Sequence, residues 1–244
     1  MSSTPDLAGR LLRHQRAILA CGIILLAGLS WWFLATGAGI ARGADMPMMQ
    51  VPFAALLIMW WIMMAAMMLP SALPAVLLYA RIRDQRQGIA TIASTWVFVL
   101  GYLAVWLAFS VPAASLQWLA AGPSMALADK RLASAILIGA GIYQLSPLKR
   151  ACLRECRSPA QFLSRHWRAG TIGALRLGML HGGYCVACCW LLMALLLVVG
   201  VMNLLWVALL TIVIAAEKIS PRGALFGQAA GIVLIIWGVV RIAA

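Results

Sequence analysis

Acidic side chains are almost missing from this chain. It has six Asp and Glu among 244 residues, and only 10% of its residues are charged. A soluble domain carries about 25%, so this composition cannot cover itself with a water-facing surface. Histidine is scarcer still, at three residues. No hydrolase triad, phosphate loop or paired carboxylate is present, which argues against conventional soluble enzymology and favours a non-enzyme. The net charge of +13 comes without any nucleic-acid-binding motif, which sets nucleic acid aside as a partner. No soluble domain is visible either. The largest polar piece reads as a basic loop, about Lys149 to Arg176, and is too short for a core of its own.

What is present is apolar. Hydrophobic residues make up 64% of the chain and the mean hydropathy is +0.97. A spanning helix needs about 20 mostly apolar residues, and seven stretches qualify as candidates. They are Ala17 to Thr36, Val51 to Tyr79, Ile89 to about Pro112, Leu132 to Leu148, about Leu175 to Val199, Asn203 to Ala216 and Gly223 to Ile242. Pro70 and Pro74 interrupt the second. The sixth is short and joins the fifth through a tight turn near Gly200. Ala113 to Ala128, broken by Gly122-Pro123, reads as an interfacial loop. The expected fold is all-α: one polytopic membrane helix bundle over residues 1–244 with about seven transmembrane helices, its partner the lipid bilayer.

The first span follows Arg10, Arg13 and Arg16, as a secretory signal would. Its apolar run exceeds the short core of a signal, roughly 7–15 residues, and Trp31-Trp32 suit an interface belt, so it reads as a retained anchor. Lys and Arg then set the orientation. Fifteen of the 19 lie at the N-terminus and in the second-to-third, fourth-to-fifth and sixth-to-seventh connections. Only Arg42, Lys130, Arg131 and Arg241 fall on the other side. That bias predicts a multi-pass membrane protein with its N-terminus on the inner, cytoplasmic side and its C-terminus outside. Gly223, Gly227 and Gly231 recur every four residues and would let a neighbouring helix approach closely.

Into this apolar chain are set unusual donors. His181, Cys185, Cys188 and Cys189 fall within nine residues of the fifth span. At about 100° per residue, with His181 at zero, Cys185 lies near 40°, Cys188 near −20° and Cys189 near 80°. Soft donors on one helix face suit copper(I), with zinc as the alternative ion. Cys152 and Cys156 form a second pair after Pro147; on a helix they share a face, and the surrounding Lys and Arg are expected to lower their thiol pKa. The two groups are placed to converge or to act in sequence. Glu217 is expected either to support or complete coordination at His181, or simply to pair with Lys218. Asn203 and Gln144 are candidates for interhelical hydrogen bonds. Cys21 reads as packing only.

The second span carries Met59, Met63 and Met67 on one face, with Met64 and Met68 beside them and Met46, Met48 and Met49 ahead. Thioethers hold copper(I) weakly enough to release it. They sketch an entry path toward the inner thiols, helped by carbonyls that Pro70 and Pro74 would free.

Three stretches then carry a resemblance. They are Met-Trp-x-x-Met-x-x-Ala-Met-Met-x-Pro at 59–70, Tyr-Gln-Leu-Ser-Pro-Leu-Lys-x-x-Cys-Leu-x-x-Cys-Arg-x-Pro at 143–159, and His-Gly-x-Tyr-Cys-Val-x-Cys-Cys-Trp-x-Leu-Met at 181–193. Gly200, Met202-Asn203-Leu204 and Glu217-Lys218 follow. Over roughly residues 50 to 220 the chain resembles a bacterial family of predicted metal-binding integral membrane proteins, some labelled copper-chaperone-like. The resemblance implies metal binding. The leading expectation is an intramembrane copper(I) site for metal transfer or cuproenzyme assembly, with a metal donor or acceptor protein as partner. The alternatives are a membrane thiol–disulfide oxidoreductase and a non-catalytic scaffold subunit.

Overall fold

The computed structural model describes residues 4–37, 52–87, 91–120, 129–201 and 203–243. Met46, Met48 and Met49 lie outside the described residues. Nine helices and no strand occur among them: α1 (Thr4–Ala35), α2 (Phe53–Gln87), α3 (Thr91–Ala120), α4 (Lys130–Leu145), α5 (Pro147–Arg157), α6 (Pro159–His166), α7 (Gly170–Val199), α8 (Leu204–Ile219) and α9 (Gly223–Ala243). Stretches of α1, α2, α3, α7 and α9 are long and apolar enough to cross a membrane. The expected fourth and sixth spans are α4 and α8, each of 16 residues. They fall short of the roughly 20 residues that a full crossing takes.

Three sequence expectations need correction. The second span is not broken at its prolines: α2 runs through Pro70 and Pro74 as one helix. Pro70 has no N–H for the carbonyl four residues back, and that carbonyl, Ala66 O, accepts instead from Trp31 Nε1 on α1 at 3.2 Å. The third span does not end at Pro112, since α3 continues to Ala120. Gln117 in this extension takes the indole of Trp60 on α2, which gives the last turns a buried partner. The basic stretch after Lys149 is not a loop. Ser146 caps α5 by accepting from Lys149 N at 3.1 Å, with Pro147 at the first helical position; α6 then buries Phe162 and Leu163.

Close backbone contacts set the helix pairs. A Cβ on Gly178 of α7 would stand 2.0 Å from Phe98 O of α3, and one on Gly101 would stand 2.4 Å from Leu175 O. Gly182 faces Tyr102 and Val105 further along. The contacts advance together along both chains, so α3 and α7 run parallel. On α4 and α9, Gly141 meets Gly231 and Ile235 while Gly238 meets Ile138; this pair is antiparallel, and Gly231 of the four-residue repeat serves it as expected. Gly200 ends α7 with φ +89°, a left-handed turn that glycine adopts without a Cβ penalty. Asn203 N returns to Gly200 O at 3.1 Å; the Asn203 side chain is exposed.

Gly178→Ala should force α3 and α7 apart and destabilise the fold by about 1–3 kcal/mol. Gly183→Ala, where a Cβ meets nothing within 4 Å, should be neutral or slightly stabilising. Thermal unfolding of both variants in detergent tests the contrast, and equal midpoints would count against this packing.

Candidate metal centre

Helix α7 turns its four candidate donors inward, as its periodicity implied. His181, Cys185, Cys188 and Cys189 are all buried. They do not share one environment. Cys188 Sγ and Cys189 Sγ both donate to Cys185 O, at 3.1 and 2.9 Å. The His181 ring lies among Phe98, Tyr102 and Phe162, with centroids 6.1, 5.8 and 5.3 Å away. Its Nδ1 is buried with no hydrogen-bond partner.

Helix α5 brings the second pair of thiols to this face. Helix α4 stops at Leu145, and Tyr143 near its end donates to Ala187 O of α7. The next helix therefore starts level with the middle of α7. Cys156 Sγ lies 3.9 Å from Cys188 Sγ. The two cysteine groups thus converge rather than standing in sequence. The expected effect of the neighbouring Lys and Arg on the α5 thiols is reversed. Burial and the nearby Cys188 push the Cys152 thiol up. Hydrogen bonding to Cys185 and Cys188 pushes the Cys156 thiol well up. For the arginines the reason is helical: at about 100° per residue, Arg150, Arg154 and Arg157 sit roughly opposite Cys152 and Cys156, while Lys149 is committed to Glu217. Cys21, read as packing, is exposed on α1.

Glu217 corrects a second expectation. It faces neither His181 nor Lys218. Its Oε2 takes Lys149 Nζ at 2.5 Å and its Oε1 takes Gln144 Nε2 at 2.7 Å; Lys149 also donates to Gln144 Oε1. All three residues are buried. Gln144 thus makes the interhelical bonds expected of it. Lys218, one residue on, points the other way: its Nζ reaches Cys185 Sγ at 3.0 Å, Ser71 Oγ at 3.1 Å and Met68 Sδ at 3.8 Å. Tyr102 Oη stands 3.0 Å from the same Cys185 sulfur. A half-buried ammonium needs hydrogen-bond partners, and Cys185 Sγ and Ser71 Oγ supply them here.

Met59, Met63 and Met67 are buried with Met64 in the core of α2. Met68 brings its sulfur to 3.8 Å from Lys218 Nζ, the ammonium that reaches Cys185. The sequence reading also missed Tyr102 and Ser71, and it placed Lys218 only against Glu217. One signal was available: adjacent residues on a helix point about 100° apart, so Glu217 and Lys218 had to face different neighbours.

Two observations bear on whether these residues suit a soft metal. Two sulfurs bound to one ion at about 2.3 Å each lie within roughly 4.6 Å of one another, and Cys156 and Cys188 meet that limit. The unpartnered Nδ1 of His181 is a spare donor. Among the described residues, however, no three His, Cys, Asp or Glu side chains close on one point at metal-holding distance. The arrangement is a thiol pair with neighbours, not a closed cage.

An all-helical bundle with four thiols, a thioether and an ammonium gathered inside it defines a helical protein with a soft-donor centre. The chain belongs to the PpoB2 copper chaperone family, whose model matches residues 57–241. The match runs past residue 220, where the resemblance in the sequence had ended, and takes in α9. No curated protein and no solved structure matches the chain. A copper-related function is thereby supported at the level of the family.

Glu217→Gln would leave the Lys149 ammonium buried without a counter-charge, which typically costs roughly 3–5 kcal/mol. The unfolding midpoint should fall sharply, and adding Lys149→Met should recover much of the loss. An unchanged midpoint for Glu217→Gln alone would show that this pair is not holding α5 to α8.

Proposed function

We propose that this chain is a multi-pass protein of the bacterial inner membrane, N-terminus in the cytoplasm, that takes up copper(I) at the α5–α7 thiols and hands it on. The observation that carries the reading is the 3.9 Å approach of Cys156 to Cys188 from helices that the sequence separates by a basic segment. Copper(I) accepts few ligands, and thiolate and thioether donors select it over harder ions. A site with few ligands also suits cargo that must leave again. Cys156 and Cys188 grip the ion, with Cys185, Cys189, Cys152 and His181 adjoining them. The Met59, Met63 and Met67 face of α2 leads toward Met68, whose sulfur is next to Lys218.

Lys218 has a defined part. Its ammonium, 3.0 Å from the Cys185 sulfur, offers a counter-charge to the thiolate form that copper(I) would bind. When a copper ion takes that sulfur, Ser71 Oγ at 3.1 Å remains for the ammonium. A second cation then enters without leaving the first unsolvated. Glu217 acts one step removed from the ion, through Lys149 on α5. Zinc would ask for a closed tetrahedron of four ligands, which a thiol pair offers less readily.

The same sulfur–sulfur approach is the observation behind a thiol–disulfide exchange site, in which the two thiols would give two electrons to an acceptor. Copper(I) retained under excess reductant, where no disulfide persists, separates the two readings. For the copper reading, the Cys185→Ser/Cys188→Ser variant should lose its bound copper(I). Cys188→Ser alone should weaken binding beyond the roughly 10–100-fold that loss of a supporting partner costs. Competition against a chromogenic copper(I) chelator measures both, and undiminished stoichiometry in the double variant would sink the proposal.

A further inference from the structure

Helix α5 has a second face. Its Arg150, Arg154 and Arg157 fall within about 60° of one another at 100° per residue, and all three line a cavity of about 430 Å³ between the end of α4, α5 and the start of α9. Lys149 lines it too, and no acidic residue does. Lys149 is already answered by Glu217. The three guanidinium groups are not. Glu155, the acidic residue of α5, is turned away to Arg165 at 3.0 Å. Arg157 Nη2 donates to the carbonyls of Ser220 and Pro221, at 2.7 and 3.3 Å, which anchors the side chain without neutralising it. Among the described residues no carboxylate pairs with Arg150 or Arg154, and both are exposed at the rim.

The opposite wall adds to the same field. Helix α9, 21 residues long, begins here at Gly223, so its positive end and first-turn amides face the arginines. Gly223 and Gly227 leave that wall as bare backbone. A Cβ on Gly223 would stand 3.1 Å from Arg157 Nη1. Three like charges held together against a helix N-terminus repel one another unless an anion joins them. The flat, forked donors of arginine match the oxygens of a phosphate group. Leu145 and Leu153 make part of the remaining wall, so the cavity joins a cationic rim to an apolar side.

We propose that this cavity is a binding site for a phosphate-bearing anion, with Arg150 and Arg154 taking its oxygens and Arg157 and the start of α9 closing behind it. The phosphate is either the headgroup of an anionic phospholipid or a free phosphate ion. The site stands apart from the thiols and does not depend on the copper reading.

The test uses the full chain in a neutral detergent. Binding of phosphatidylglycerol is followed by native mass spectrometry, with phosphatidylcholine as the reference lipid, and binding of inorganic phosphate by the shift in unfolding midpoint. Arg150→Gln/Arg154→Gln is compared with Lys130→Gln/Arg131→Gln, which removes the same charge from exposed positions at the other end of α4. The first variant should weaken saturable binding by about tenfold or more, the scale expected for lost bonds to a charged group, while the second leaves it near the wild-type value. Preference for phosphatidylglycerol that millimolar phosphate does not displace names the headgroup; binding of inorganic phosphate that displaces the lipid names the free ion. Equal weakening in both variants, or no saturable binding of either probe, would overturn the proposal.

Discussion

The approach of α3 to α7 is the constraint on which the interior depends. Gly178 and Gly182 on α7 and Gly101 on α3 let the two backbones touch. Helices this apolar would gain little in lipid from hiding apolar side chains, and close backbone packing would supply much of their adhesion there. The same approach decides what the thiols meet. A larger residue at 178 would push α3 from α7, and with it Tyr102, whose Oη stands 3.0 Å from the Cys185 sulfur, and the Phe98 and Tyr102 rings that flank His181. The parallel sense of the pair also matters: it sets Tyr102 level with Cys185, and leaves the other side of α7 open for α5.

Charge inside the bundle is arranged around that pair. Burying an ammonium costs several kcal/mol unless a good partner meets it. Lys149 is buried and Lys218 half-buried, and the chain gives each a different answer. Lys149 on α5 is met by the carboxylate of Glu217 and the amide of Gln144, so one polar knot ties α4, α5 and α8. Lys218 is met by sulfur and hydroxyl groups from α7 and α2. Residues adjacent in α8 therefore hold opposite sides of the bundle. The shortness of α4 follows the same logic: Ser146 and Pro147 stop it early and start α5 at the depth where Lys149 can meet Glu217.

The local features of this structure were legible in the sequence. The inward faces of α7 and α5, the turn at Gly200 and the close packing at Gly231 follow from spacing within one element, which periodicity reports directly. The course of helices across Pro70 and Pro112 was not legible. Whether a proline breaks a helix depends on what takes the freed carbonyl and the flanking side chains, and here the partners are Trp31 on α1 and Trp60 on α2. Partner choice was likewise hidden. Glu217 and Lys149 are 68 residues apart, and a helical wheel says which way a side chain points but not which helix stands there. For the same reason the wheel marked Met59, Met63 and Met67 as a stripe without showing that Met68 is the one beside the ammonium.

Helix α5 brings two chemistries onto one rigid body. It is 11 residues long, its thiols face α7 and its arginines face the start of α9. It is held to α8 and the following turn by the Lys149–Glu217 pair and by Arg157 on the Ser220 and Pro221 carbonyls. A helix this short moves as a unit, because bending it would break its few internal hydrogen bonds. The distance from Cys156 to Cys188 is therefore set as much by contacts on the arginine side of α5 as by the sulfurs themselves. A change that loosens α5 from α8 would act on the thiol pair through the helix that carries Cys156, even though no atom of that pair is touched.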